Sequence, residues 1–158
     1  MSKLSQYNLG LFLTEKNSLQ TWEETGMLSR EIAPYNILAN YFRKIFIFSY
    51  GDESDRRFQA QLVQNIEIVP RSSHLSLKKY YWLLPFWHWK KLRQCHFLKT
   101  NQFKSRAAVL AKFIRPWSKL ILRSGYTVSL FQKQQGQIIN WKLRWWERLM
   151  LRLAFFGA

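Results

Sequence analysis

The stretch CHFLKTNQFKSRAAVLAKFIRPWSKLILRSGY, residues 95–126, decides the fold of this chain. Apolar runs at residues 95–99 and 119–123 have the length of strands, and residues 103–115 between them have helical spacing. The apolar positions of that helix share one face: Ala107, Leu110, Ala111 and Ile114. Pro116 stops the helix. A helix between two strands predicts a right-handed crossover and a parallel sheet.

Polar turns follow both of these strands. The first comprises Lys99, Thr100, Asn101 and Gln102, and the second comprises Arg123, Ser124, Gly125 and Tyr126. The carboxyl ends of parallel strands meet at one edge of a sheet, where ligands of α/β proteins usually bind. We therefore expect these residues to line a binding cleft.

Three more strands are predicted earlier in the chain, at residues 8–14, 44–50 and 66–69. A helical segment that starts at Asn17 or Ser18 runs toward Pro34, which is expected to end or kink it. Alternating strands and helices predict an α/β fold, with a Rossmann-like parallel sheet flanked by helices. A length of 158 residues fits a single domain.

Two turns among the earlier elements have two interpretations each. Asn17 and Ser18 follow the first strand, where they either cap the next helix or contact a ligand in the cleft. The acids of residues 51–55 follow the second strand and either pair around a metal ion or form a solvated turn. The solvated turn is the favoured interpretation.

Positive charge is concentrated in the second half of the chain. Residues 1–70 carry 7 Lys and Arg against 8 Asp and Glu, a net charge of −1. Residues 71–158 carry 18 against Glu147 alone, a net charge of +17, and they hold seven of the eight Trp. This half is expected to face a membrane surface or nucleic acid, or to be a solvated basic surface.

Cysteine and histidine give no sign of a metal or nucleophile site. Cys95 is the only cysteine, which excludes an internal disulfide, and it is expected to pack in a strand rather than to react. His74, His88 and His96 lack metal-ligand spacing, so no metal is predicted. No residue can be assigned a catalytic role from sequence.

Residues 80–89 form an aromatic segment beside basic residues. It is too short to cross a bilayer and fits either a bilayer interface or a core helix. Residues 137–158 predict a basic amphipathic helix, which either packs on the sheet or lies in an anionic interface. The candidate membrane contacts are Trp82, Phe86, Trp87, Trp89, Lys90, Lys91, Arg144, Trp145, Trp146, Arg148 and Arg152.

The N-terminus does not resemble a signal peptide, since the apolar run at residues 9–13 is too short. No run of 18 apolar residues occurs either. The predicted location is therefore cytoplasmic, peripheral on the inner face of the plasma membrane.

Several segments resemble a known pattern. They are residues 11–15; residues 18–22 with Gly26, Leu28, Arg30 and Glu31; residues 48–51; residues 99–102; and residues 123–126 with Ser129 and Phe131. Over about residues 8–150, their order and spacing resemble the N-terminal domain of bacterial glycosyltransferases of the GT-B fold, family 4.

The resemblance implies a retaining, metal-independent transferase with two domains. Such an enzyme moves a sugar from a nucleotide-sugar, bound mainly by the C-terminal domain, to a lipid-linked or cell-surface glycan acceptor bound by the N-terminal domain. The nucleotide-sugar is a co-substrate, and no cofactor is implied. By position, the cleft residues are Asn17, Ser18 and the two polar turns. Residues 1–158 are expected to form one acceptor-binding domain, to lack the donor-binding domain and to be inactive alone.

Two other interpretations stay open. A basic nucleic-acid-binding module explains the charge equally well, with Lys and Arg on phosphates and aromatic rings on bases. A non-catalytic, truncated remnant is the third interpretation.

Overall fold

A five-stranded parallel sheet forms the centre of the molecule, whose computed structural model describes residues 4–101, 106–123 and 145. Its strands are β1 (Asn8–Phe12), β2 (Lys44–Phe48), β3 (Ile66–Val69), β4 (Phe97–Thr100) and β5 (Lys119–Ile121). Their order across the sheet is β3-β2-β1-β4-β5, and every neighbouring pair is parallel. This is the strand order of a Rossmann-like sheet, so the predicted α/β class is confirmed.

Helices cover both faces of the sheet. The first layer, here the α2 layer, contains α1 (Leu19–Glu24), α2 (Leu28–Leu38) and a 3₁₀ helix (Glu53–Gln61). The second, here the α3 layer, contains α3 (Leu77–Trp87), α4 (Trp89–Leu92) and α5 (Arg106–Ile114). Right-handed crossovers require this division, because the chain steps outward from β1 to β3 and then returns past β1 to β4.

The first helical segment is divided into α1 and α2. Gly26, in the left-handed region at φ 66°, separates the two helices. Pro34 lies inside α2, which continues to Leu38, so of the two predicted effects of Pro34, an end or a kink, the structure excludes the end. Proline removes one backbone donor, and burial of Leu28, Ile32 and Tyr35 against the sheet holds α2 together despite that loss.

Gly10 of β1 lies where the sheet meets the α3 layer. A Cβ there would lie 3.0 Å from the Sγ of Cys95, 3.2 Å from Phe48 and 3.3 Å from Leu98. Cys95 is fully buried just before β4, not within a strand, and burial raises the pKa of its thiol to about 12. The thiol therefore acts as a packing group.

We expect Gly10→Ala to lower the free energy of unfolding by about 1–3 kcal/mol, because the added methyl group overfills this contact. Urea denaturation measures the effect. In a Cys95→Ala background, where the Sγ is absent, the same replacement should cost less. Equal costs in the two backgrounds would show that the thiol does not limit the space.

His88 joins α3 to α4, and its Nε2 lies 3.1 Å from the hydroxyl oxygen of Tyr80. Burial, with a smaller contribution from Lys91, lowers the pKa of His88 to about 4. An unfolded histidine titrates near 6.5, so between pH 6.5 and 4 the unfolded chain takes up a proton that the folded chain does not. Folding stability is therefore lost as the pH falls through this window.

We expect acidification from pH 7 to pH 5 to lower the free energy of unfolding by roughly 1–2 kcal/mol through His88. The His88→Gln variant should show a shallower decline, which urea denaturation at stepped pH measures. The pKa of Glu67 is also lowered: burial opposes this, and hydrogen bonds from Lys44 and Lys91 outweigh it. That contribution is lost as the pH falls below the ordinary glutamate range, so it lies outside the window from pH 7 to 5. Parallel declines in both proteins would contradict the assignment.

Several predicted contacts lie outside the described residues. They are Gln102, Ser124, Gly125, Tyr126, Arg144, Trp146, Arg148 and Arg152, together with the helix predicted at residues 137–158. Within the described part, no helix is both long enough and apolar enough to cross a membrane.

Candidate functional site

The turns after β1 and β4 begin side by side. The backbone N–H of Asn101 donates to the carbonyl oxygen of Phe12 at 2.9 Å, one residue beyond the last register pair, Phe12 and Thr100. The chain leaves β1 toward β2 on one side and leaves β4 toward β5 on the other. In open α/β sheets such a switch point forms a crevice that binds ligands.

A basic cluster lies at the carboxyl ends of β4 and β5. The Nζ of Lys99 donates to the hydroxyl oxygen of Tyr35 at 3.1 Å and lies 5.0 Å from the centre of that ring. The Oδ1 of Asn101 accepts from the Tyr35 hydroxyl at 3.1 Å and from Nη1 of Arg123 at 3.4 Å. The backbone N–H of Arg123 donates to the hydroxyl oxygen of Thr100 at 3.1 Å. We call Tyr35, Lys99, Asn101 and Arg123 the Lys99–Arg123 cluster.

The two cations of this cluster are poorly neutralised. Burial, and then the charge of Arg123, lower the pKa of Lys99, while the negative charge of Glu31 opposes this. Within the described part of the chain, no carboxylate lies within ion-pair distance of Lys99 or Arg123. Burial raises the pKa of Tyr35 to about 12, so its hydroxyl keeps its proton. The cluster thus presents two cations that are oriented by neutral groups and that an added negative charge would stabilise.

A second polar group lies between the β1 turn and the start of α5. The Oε1 of Glu15 accepts from the backbone N–H of Arg106 at 3.3 Å and from its Nε at 3.4 Å. The hydroxyl of Tyr81 is buried with no hydrogen-bond partner among the described residues, and so is the hydroxyl of Thr14. Burial, and then the charge of Glu15, raise the pKa of Tyr81. We call Thr14, Glu15, Tyr81 and Arg106 the Glu15–Tyr81 group.

This second group has the chemistry that hydrogen-bonds hydroxyl groups. A carboxylate accepts, and two unpaired hydroxyls can both donate and accept. An unpaired buried hydroxyl is costly to the fold, and a ligand could reach these two hydroxyls only through a local opening. The guanidinium of Arg106 also lies 5.7 Å from the ring centre of Trp82, a half-exposed aromatic surface next to the group.

The N-terminus of α1 is occupied by groups of the protein itself. The Ser18 side chain caps α1 by accepting from the backbone N–H of Thr21 at 2.9 Å. The carboxylate of Asp55 accepts from the backbone N–H groups of Leu19 at 3.2 Å and Gln20 at 3.0 Å, and from the hydroxyl of Ser49. These contacts favour the structural interpretation of Ser18, with the Asp55 carboxylate taking the position of an anion.

The acidic turn after β2 corrects an expectation. Asp55 is fully buried, so the solvated turn predicted for residues 51–55 is wrong at this position. Asp52 is exposed, and it caps the 3₁₀ helix by accepting from the backbone N–H of Ser54. A side chain on Gly51 would overlap the Asp55 carboxylate, so this glycine leaves space for it. The described residues contain no cluster of His, Cys, Asp and Glu that could hold a metal ion.

The cleft residues predicted from sequence occupy different positions in this site. Lys99, Asn101 and Arg123 belong to the basic cluster, and Thr100 is fully buried beneath it. Asn17 lies in the β1 turn, where its backbone N–H donates to the carbonyl oxygen of Thr14 at 2.9 Å. Tyr35 and Tyr81 were not predicted from the sequence. Helical periodicity does not indicate which neighbouring element the side chain of a helical tyrosine contacts.

Comparison with protein families, with curated proteins and with solved structures finds no match to this chain. The sheet order and the hydrogen bonds at its carboxyl edge define a Rossmann-like α/β protein with a basic cluster at that edge.

Proposed function

We propose that this chain is the acceptor-binding domain of a glycosyltransferase of the GT-B type, and that its carboxyl edge binds a phosphate-bearing glycan acceptor. The observation that carries the proposal is the Lys99–Arg123 cluster, two weakly neutralised cations at the switch-point edge of a Rossmann-like sheet. The likeness of the turns to that enzyme family supplies the reaction class.

The basic cluster suits a phosphate or diphosphate. Arg123 presents a planar guanidinium that can bind two phosphate oxygens, and Lys99 adds a point charge from the neighbouring strand. Tyr35 and Asn101 fix the positions of both cations through hydrogen bonds. Burial makes the positive charge of Lys99 unfavourable, and a bound anion would offset this cost.

The Glu15–Tyr81 group suits the sugar that follows such a phosphate. It begins two residues beyond Phe12, whose carbonyl oxygen bonds the backbone of Asn101 in the basic cluster. The hydroxyls of Thr14 and Tyr81 would then gain partners that the described residues do not give them. Lipid-linked glycan acceptors join these two chemistries, an anionic phosphate and a polyhydroxyl ring, in one molecule.

Glycosyl transfer requires the donor and acceptor to be aligned, and orientation alone can supply several kcal/mol of the barrier. In our proposal, this chain binds and orients the acceptor. In enzymes of the GT-B type the nucleotide-sugar is bound mainly by a second domain, so the activity proposed for this domain is acceptor binding.

Nuclear magnetic resonance titration tests the proposal with a short-chain prenyl diphosphate-linked N-acetylglucosamine as the probe. We expect the backbone amide signals of Thr100, Asn101 and Arg123 to shift in a saturable manner, with those of Glu15 and Arg106 following. Inorganic pyrophosphate should shift only the first set, and the prenyl alcohol neither set. Failure of the probe to bind, or shifts confined to other parts of the molecule, would contradict the proposal.

A further inference from the structure

The outer face of α3 and α4 is apolar. Trp82 is 49% exposed, Phe86 61%, Trp87 54% and Trp89 43%, although all four are large apolar side chains. We call Trp82, Leu83, Phe86, Trp87 and Trp89 the aromatic surface. The opposite face of α3 is buried against the sheet through Tyr80, Tyr81, Leu84 and Pro85. Since α3 is anchored by its inner face, its exposed aromatics are not needed for the core.

Lysine and arginine border this surface at both ends. Lys78 and Lys79 are exposed at the start of α3. At the other end of the surface, Lys90 is exposed in α4 and Arg93 directly after it. Two exposed indole rings have a guanidinium above them. Arg93 lies 5.2 Å from the ring centre of Trp89, and Arg106 lies 5.7 Å from that of Trp82.

The two layers of the fold also differ in the sign of their charge. Residues 71–123, which supply the whole α3 layer, contain no Asp or Glu. The α2 layer carries five acids against three bases, so its net charge is negative. The acids are Glu23, Glu24, Glu31, Glu53 and Asp55, and the bases are Arg30, Arg56 and Arg57. The apolar side chains of α3 and α4 are thus exposed on a face where basic residues predominate, although Glu67 pairs with Lys91 and Glu15 with Arg106. This arrangement complements an anionic surface.

We propose that the aromatic surface docks on the interface of an anionic lipid bilayer. Indole rings prefer the headgroup level of a bilayer, and neighbouring Lys and Arg side chains reach the lipid phosphates. Leu83 and Phe86 supply the apolar area that enters the acyl boundary. This inference rests on the α3 layer and does not depend on which ligand the carboxyl edge binds.

Co-sedimentation of the full chain with vesicles tests this proposal. We expect tight partitioning onto vesicles of phosphatidylglycerol and phosphatidylcholine, and at least 10-fold weaker partitioning onto phosphatidylcholine alone. The Phe86→Ser/Trp87→Ser double variant should lose at least 10-fold in partitioning, because the exposed rings are lost and the buried face of α3 is kept. Lys78→Glu/Lys79→Glu should weaken binding to anionic vesicles selectively.

The matched control is Ile37→Ser, which removes a 63% exposed apolar side chain from the α2 layer and should change partitioning less than 2-fold. Thermal unfolding shows that each variant remains folded. Equal partitioning of the Phe86→Ser/Trp87→Ser variant and the original chain would overturn the proposal. A second result would also overturn it: the original chain does not bind vesicles but binds single-stranded DNA in a salt-dependent manner, and the Phe86→Ser/Trp87→Ser variant loses that DNA binding. The aromatic surface would then be a nucleic-acid site.

Discussion

Replacing Asp55 with alanine is expected to lower the free energy of unfolding by about 3–5 kcal/mol. Its carboxylate is fully buried and accepts from the backbone N–H groups of Leu19 and Gln20 and from the Ser49 hydroxyl. Alanine would leave these three donors unsatisfied in the interior and would remove the anion at the start of α1. Equilibrium denaturation in urea measures the loss.

Asp52→Ala is the matched control for this experiment. Asp52 is exposed, and it caps the 3₁₀ helix in which Asp55 lies. Its loss removes one cap and should cost about 1 kcal/mol. Asp55→Asn keeps the size of the side chain but turns one acceptor into a donor, so most of the destabilisation should remain. Equal costs for Asp52→Ala and Asp55→Ala would show that the buried carboxylate does not hold the β1 and β2 turns together.

The second large effect is expected on ligand binding. Lys99→Met and Arg123→Gln should each weaken binding of the prenyl diphosphate-linked sugar about 10- to 100-fold, since each removes a charge-assisted hydrogen bond to phosphate. Calorimetric titration measures the affinities. Lys119→Gln is the control: this exposed lysine lies at the amino end of β5, opposite the proposed site, and its loss should change the affinity less than 3-fold.

Stability distinguishes a binding role from a structural one at Lys99. Because burial lowers the pKa of this lysine, its charge is unfavourable in the folded chain without an anion. Lys99→Met should therefore leave the free energy of unfolding unchanged or raise it, while the affinity for the probe falls. A variant that loses stability and affinity together would point to a structural lysine instead.

The sheet could be predicted from sequence because its signal is strong. The run Ile45–Phe48 is apolar on both faces, as a central parallel strand requires, and the helix before Pro116 has a clear apolar face. The prediction that the polar turns lie at one edge of the sheet followed from the rule that parallel strands have their carboxyl ends at the same edge. The position of Lys99, Asn101 and Arg123 near one another depends only on that rule and on the pairing of β4 with β5.

Contacts between layers could not be predicted in the same way. Asp55 was expected in solvent because an acid in a Gly-Asp-Glu-Ser-Asp turn usually is, and only the packing of the 3₁₀ helix against α1 buries it. Tyr35 reaches Lys99 from α2, across 64 residues of sequence. Such contacts depend on helix rotation and crossing angle, which hydrophobic periodicity alone does not fix.

The central claim is that Lys99 and Arg123 bind a phosphate at the carboxyl edge of the sheet. A crystal structure of the chain with the short-chain prenyl diphosphate-linked N-acetylglucosamine tests it most directly. We expect the diphosphate to lie within hydrogen-bonding distance of the Lys99 ammonium and the Arg123 guanidinium, with the sugar toward Glu15 and Tyr81. A diphosphate bound elsewhere, with Lys99 still bonded only to Tyr35, would contradict it.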